Sequence, residues 1–374
     1  MRKIRVLIVD DSVVIRRVLS DVVSSDPALE VAGIAQDGRI ALGKVASLHP
    51  DVVILDVEMP NLDGMGALAE IRKNWPLLPV IMYSNMTQRG AIATLDALAL
   101  GASDYQTKPA GSEGPEDAVR RIREELIPRI KAFCRGVGQR APEPTRGPGP
   151  WIPTHTPSAP RRVSTPTTRR APSPINLVAI GTSTGGPNAL GEILPAFPAN
   201  FPPPIVIVQH MPPIFTRMLA ERLASRSSIE VTEAVHGEPL RPGHAYVAPG
   251  GRHMVVEEGD GDGARLLLND DPRENSCRPA ADVLFRSAAA AFPGATLAVI
   301  LTGLGSDGLK GCEAVVNSGG LVFAQDEPTS VVWGMPGSVV KAGLADRVIP
   351  LDLIGDTIVN RVLASREPVT AANR

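Results

Sequence analysis

Two doubly wound α/β units in tandem are the architecture the sequence predicts, and three observations predict it. Short β-branched runs alternate with helix-spaced apolar residues from Ile4 to about Phe133, and a second alternation begins at Ile175. Between them, residues 134–174 are dense in Pro, Thr, Ser and Arg and nearly devoid of acidic or periodic apolar residues. The composition agrees: 43% hydrophobic residues against only 3% aromatic ones suit Val/Ile/Leu/Ala sheets covered by helices. The first unit should be a five-stranded doubly wound parallel sheet. The second should be a doubly wound, mainly parallel α/β domain with an antiparallel hairpin region.

In the first unit, RVLIVD (5–10), VAGIA (31–35), VVILD (52–56), PVIMYS (79–84) and SDYQT (103–107) read as strands. Val14–Val23, Ala41–Leu48, Met65–Ile71 and Ala91–Leu100 carry helical spacing, and a last helix spans about Glu116–Ala132, which Pro128 should bend or shorten. The following segment cannot bury enough surface to offset its ordering entropy and reads as a flexible linker. Its Arg146, Arg161, Arg162, Arg169 and Arg170 are solvated spacer charge or, alternatively, a lure for an acidic partner. In the second unit, INLVAIG, PIVIVQH, ATLAVILTG and GGLVFAQ are apolar enough to be buried on both faces. Helices are expected near Asn188–Leu194, Ile214–Ser225, Ala280–Ala291, Leu309–Val316 and Pro336–Ala342, and AYVAP, HMVVEE and ARLLL suggest antiparallel hairpins. The domain division is therefore 1–133, 134–174 and 175–365.

A net charge of −2 gives no bias towards nucleic acid or an anionic surface. The three cysteines, Cys134, Cys277 and Cys312, form no CxxC pair, so reduced thiols are expected and a zinc site is not. Acidic residues follow the first apolar run at once, unlike a signal peptide, and no apolar stretch approaches the ~20 residues that span a bilayer. A cytoplasmic protein without membrane insertion is expected.

Chemistry-bearing residues fall where strands end, the ligand-binding rim of a doubly wound sheet. Asp10 and Asp11 follow the first strand and Asp56 the third. Three carboxylates meeting there need a cation, and oxygen ligation with open positions suits Mg²⁺. Ser84 and Lys108 end the fourth and fifth strands, a hydroxyl and an ammonium fit to meet phosphoryl oxygens. The set, with VVILDVEMPNLDGM and Lys108-Pro109, resembles a response-regulator receiver, a flavodoxin-like domain, across about residues 3–125. That resemblance implies Asp56 as phosphoacceptor, Asp10 and Asp11 as Mg²⁺ acids, Lys108 as phosphate partner, and Ser84 and Tyr105 as the residues that report phosphorylation. It also implies a histidine kinase as phosphodonor.

In the second unit, INLVAIG-TSTGGP runs a strand into a glycine turn and a helix, and Gly181–Gly185 fits G-x-S-x-G around Ser183. The same turn could cradle a phosphate, but G-x-G-x-x-G and a following ribose-binding acid are lacking. His210 follows PIVIVQ and Asp307 lies in LTGLGSDG, each at a strand end. A serine needs an imidazole to take its proton and a carboxylate to orient that imidazole. His236, His244 and His253 compete, from turns or hairpins where surface or hydrogen-bonding roles are expected. The order Ser…His…Asp differs from that of α/β-hydrolases, chymotrypsin and subtilisin, so the elbow motif does not imply the lipase-esterase fold.

IGTSTGGPNAL, IVIVQHMPPIFTRMLAERL, AYVAPGGRHM, RPAADVLFRSAA, VILTGLGSDGLKG and TSVVWGMPGSVVKAGLAD are similar to the protein-glutamate methylesterases of bacterial chemotaxis, the CheB family. The resemblance implies Ser183 as nucleophile, His210 as base and acid, and Asp307 as orienting carboxylate. An oxyanion site at the Thr184 N–H and the loop around Leu304 is implied as well. Methyl-accepting chemoreceptors would be the substrate, their γ-methyl glutamates hydrolysed to methanol and glutamate and their glutamines deamidated, with no cofactor in this domain. In the family the unphosphorylated receiver covers the cleft. Leu304 stands for the usual Met, Ser306 for Asn and Cys277 for His; the last two bear on substrate preference. Cys277 is a rival nucleophile in a poorer context. Two other readings differ in class: a DNA-binding regulator, which lacks a helix-turn-helix and basic face here, and an inactive or differently wired module of the same architecture.

Overall fold

The computed structural model describes residues 2–109, 114–134, 174–259 and 263–366. The first unit comprises β1 (Ile4–Val9), α1 (Val13–Ser24), β2 (Leu29–Ala35), α2 (Gly38–Leu48), β3 (Val52–Asp56), α3 (Gly64–Asn74), β4 (Val80–Ser84), α4 (Gln88–Ala99), β5 (Asp104–Thr107) and α5 (Pro115–Phe133). Its five strands pair in parallel in the order β2-β1-β3-β4-β5. Four of its helices start on side-chain caps, with Ser12, Asp37, Asp63 and Thr87 accepting from the first turns of α1, α2, α3 and α4. Helix α5 is not shortened at Pro128 but runs on to Phe133. Ile127, Ile130 and Cys134 bury against the sheet on either side of the proline, and that packing outweighs one lost backbone hydrogen bond.

The second unit comprises β6 (Leu177–Thr182), α6 (Gly186–Ile193), β7 (Ile205–Gln209), α7 (Phe215–Ala224), β8 (Glu230–Glu233), β9 (His244–Val247), β10 (His253–Glu258), β11 (Ala264–Asn269), α8 (Ala281–Ala291), β12 (Thr296–Ile300), α9 (Leu309–Asn317), β13 (Leu321–Gln325), α10 (Met335–Lys341), β14 (Arg347–Ile349) and α11 (Leu351–Ala364). Seven strands form one sheet in the order β14-β13-β12-β6-β7-β9-β8, every neighbouring pair parallel. The sequence order reverses direction at β6, so the crevice at the carboxyl ends of β6, β7 and β12 is the expected ligand site. β10 and β11 make the expected antiparallel hairpin. AYVAP does not: β9 pairs in parallel with both β7 and β8. Its Ala245–Val247 run is fully buried, which suits an interior strand better than a hairpin arm.

Residues 135–173 of the expected linker, including Arg146, Arg161, Arg162, Arg169 and Arg170, lie outside the described residues. No helix among the described residues is long and apolar enough to cross a membrane.

Candidate active site

Ser183 and His210 directly follow β6 and β7, and Asp307 lies in the loop that joins β12 to α9. β6 lies between β7 and β12 in the sheet, so the three residues leave one rim side by side. Ser183 follows β6 directly, its N–H donating to Thr302 O at 3.1 Å. Gly185 adopts φ +80°, and a side chain at Gly186 would collide with Gln209 Oε1 and Thr182 Oγ1. Only glycine there lets the chain turn from strand to helix this tightly. Buried Gln209 braces the turn, donating from Nε2 to Ser183 O at 3.0 Å.

His210 Nε2 lies 2.7 Å from Asp307 Oδ2. A carboxylate only accepts, so Nε2 carries a proton and Nδ1 is the nitrogen left for a hydroxyl. Cys277 Sγ stands 3.5 Å from that Nδ1. Among the described residues no hydrogen bond joins Ser183 Oγ to the imidazole. Asp307 is 2% exposed, and its two oxygens also accept from Ala281 N at 2.6 Å, Asp282 N at 3.1 Å, Gly308 N at 3.0 Å and Asn275 Nδ2 at 2.8 Å. Helix α8 has no side-chain cap of its own. Asp307 therefore serves as a distant cap on its N-terminal N–H groups, where the helix dipole favours an anion.

Burial works to raise the Asp307 carboxyl, but His210 and the backbone donors hold it below the usual carboxylate range. Burial likewise works to lower His210, yet Cys277 and Asp307 push it up to about 10. The N–H groups of Thr184 and Leu304 donate no hydrogen bond among the described residues. His244 and His253 are buried, not at the surface, and bond to Thr232 and to Pro272 O, while His236 accepts from Leu268 N at 3.0 Å. None of the three reaches the rim.

The first unit has its own rim. Carboxylate oxygens of Asp10, Asp11 and Asp56 lie within 4.8 Å of one another. Lys108 Nζ stands 2.9 Å from Asp10 and 2.8 Å from Asp56, and the buried Oδ2 atoms of both find no hydrogen-bond partner beyond that ammonium. Buried, under-satisfied oxygens flanked by exposed Asp11 fit a hard divalent cation such as Mg²⁺. Burial and Asp10 push the Asp56 carboxyl up to about 6, against the pull of Lys108. Ser84 Oγ donates to Gly90 O at 3.1 Å.

Contacts that sequence reasoning did not reach join the rim of the second unit to the start of β5 and the later turns of α4 in the first. Thr184 Oγ1, next to Ser183, donates to Asp104 Oδ2 at 3.0 Å. Tyr105 stacks on Phe215 with ring centroids 5.2 Å apart, and the Arg129 guanidinium lies 6.0 Å from the Tyr105 ring centroid and donates to Tyr105 O. Asn188 Nδ2 donates to Leu98 O at 2.9 Å, and Arg222 pairs with Asp96 at 2.5 Å. Asp104 reads as an ordinary strand residue, so no local signal marked it, and Tyr105 was marked only by the receiver resemblance, not for a contact with the second unit.

The match to known proteins is extensive. Residues 178–358 match the CheB methylesterase family model, and residues 6–120 match that of the response regulator receiver domain. A protein-glutamate methylesterase/protein-glutamine glutaminase of Trichodesmium erythraeum is 48% identical, over 97% of this chain and 100% of its own length. One of the same name from Nocardioides sp. is 48% identical over 100% of this chain and 99% of its own. One from the archaeon Pyrococcus abyssi is 43% identical over 96% and 94%. With strand-end serine, histidine and aspartate in one crevice and a carboxylate cluster in the other, the chain belongs to the receiver-linked CheB methylesterase family.

Proposed function

We propose that the chain is a phosphorylation-controlled cytoplasmic hydrolase of glutamate γ-methyl esters on methyl-accepting chemoreceptors, and that it also deamidates receptor glutamines. Residues 1–133 would be the receiver, 175–365 the catalytic unit, and 134–174 the linker between them. The observation that carries this reading is the bond from His210 to Asp307 at the end of the strand beside Ser183. Ser183 Oγ attacks the ester carbonyl and gives its proton to His210 Nδ1. The N–H groups of Thr184 and Leu304 hold the developing oxyanion, each such donor contributing about 3 kcal/mol. The imidazolium then protonates the leaving group: the methoxide of an ester departs as methanol, and the amide nitrogen of a glutamine departs as ammonia. Water, deprotonated by His210, resolves the acyl-enzyme to a free glutamate and regenerates Ser183.

Asp56 would accept a phosphoryl group from a histidine kinase. Asp10, Asp11 and Asp56 would hold Mg²⁺, which when bound neutralises charge on the transferring phosphoryl group. Lys108 and Ser84 would bind its oxygens. The contacts of Asp104 with Thr184 and of Tyr105 with Phe215 support a resting state in which the receiver obstructs the crevice. Drawing Ser84 Oγ from Gly90 O to a phosphoryl oxygen would disturb the α4 start and β5, the elements that make those contacts.

The test measures methanol release from a methylated receptor with and without a small-molecule phosphodonor. Stimulation of wild type but not of Asp56→Asn is expected. Equal stimulation of both, or of neither, would rule out control through Asp56.

A further inference from the structure

The turn that precedes helix α8 places a thiol on the catalytic imidazole. Glu274 and Cys277 close it by reciprocal backbone hydrogen bonds of 3.1 and 2.8 Å, with Asn275 and Ser276 between them at φ +52° and +63°. Two consecutive left-handed residues other than glycine are costly and need surrounding structure to hold them. That structure is present. Arg286 grips Glu274 through both carboxylate oxygens at 2.7 and 2.6 Å. Asn275 Nδ2 bonds Asp282 at 2.9 Å and Asp307 at 2.8 Å. The turn therefore fixes both ends of the His210 array: Asn275 on the carboxylate and Cys277 Sγ on Nδ1.

We propose that Cys277 is a positioning residue for the hydrolysis, holding the one imidazole nitrogen that can serve Ser183 and so governing when that nitrogen is free to take a proton. The inference rests on the assignment of Ser183 and His210 given above. Nε2 is committed to Asp307, so the serine hydroxyl and the thiol compete for a single site. The groups facing the pair are Asp307 and, through Asn275, Asp282 on one side, with Glu274 neutralised by Arg286. From the receiver, Arg129 acts on Cys277 by its charge. Where the sulfur is ionised and accepts from protonated Nδ1, its negative charge is the foremost influence favouring the charged His210 ring. Because a base works only when deprotonated, activity should rise as pH rises through the His210 transition. Removing the sulfur should move that rise to lower pH.

The experiment takes the full chain with saturating phosphodonor and records the pH profile of kcat/KM for methanol release in wild type, Cys277→Ala and Cys277→Ser. The acid limb is expected to move down by a unit or more in Cys277→Ala, giving roughly tenfold faster turnover on that limb and an unchanged plateau at high pH. The near-isosteric Cys277→Ser should shift it less. An NMR titration of the His210 ring in the Ser183→Ala background reads the same shift with catalysis absent, so it tests the thiol even if the nucleophile assignment fails. An unmoved limb together with an unmoved ring titration would overturn the proposal. So would a folded Cys277→Ala inactive at every pH, which would make the thiol a nucleophile instead.

Discussion

Asp307, the proposed orienting carboxylate, illustrates how much of a side chain's behaviour comes from the groups packed around it. A carboxylate 2% exposed would be costly alone, and five donors surround it: the His210 ring, Asn275 and the N–H groups of Ala281, Asp282 and Gly308. Asn275 is the contributor that can be removed without disturbing the backbone donors. A hydrogen bond to a charged group contributes about 1.5–3 kcal/mol. Asn275→Ala should accordingly lower kcat by about tenfold or more with KM little changed, measured by methanol release, and an undiminished kcat would show that Asp307 needs no such support. Ser183, His210, Asp307 and the receiver carboxylates were legible in sequence because each follows an apolar run that must be a strand. Asn275 and Gln209 were not legible. Their roles depend on side chains meeting across the rim, and nothing local distinguishes an amide that braces a carboxylate from one that faces water.

At the scale of elements, the parallel strands determine which residues share a rim, and the helices determine how the two units meet. Buried β-branched runs identified the central strands, whereas the short edge strands β8 and β14, with exposed residues at alternate or successive positions, gave no such signal. The C-terminal helix α11 buries Ile354, Ile358 and Val362 at i, i+4 and i+8, a periodicity present in the sequence but outside the helices read from it. Helix α4 packs against α6 and α7, with apolar burial continuous from Leu95, Leu98 and Tyr105 to Phe215, Leu219 and Leu223. At the rim of this contact Arg222 meets Asp96. An exposed pair contributes only ~0.2–1 kcal/mol, but reversing one partner replaces attraction with repulsion. Asp96→Lys should raise methanol release without phosphodonor several-fold, and adding Arg222→Glu should return it towards wild type. Equal activity in all three proteins would remove α4 from the resting interface.

Over the whole molecule, two crevices built on the same sheet logic face different chemistry. One gathers carboxylates beside a lysine, the other a serine, a histidine and an aspartate. The seam between the units brings the carboxylate of Asp104 to Thr184, next to Ser183, while Lys108 of the carboxylate cluster follows the other end of the same short strand, β5. The arrangement has consequences only if Ser183 carries out the chemistry. The most direct measurement is methanol release from a methylated receptor by full-length Ser183→Ala under saturating phosphodonor, with folding checked by circular dichroism. Loss of activity by a factor of roughly 10³ or more is expected, whereas turnover close to wild type in a folded variant would contradict the account.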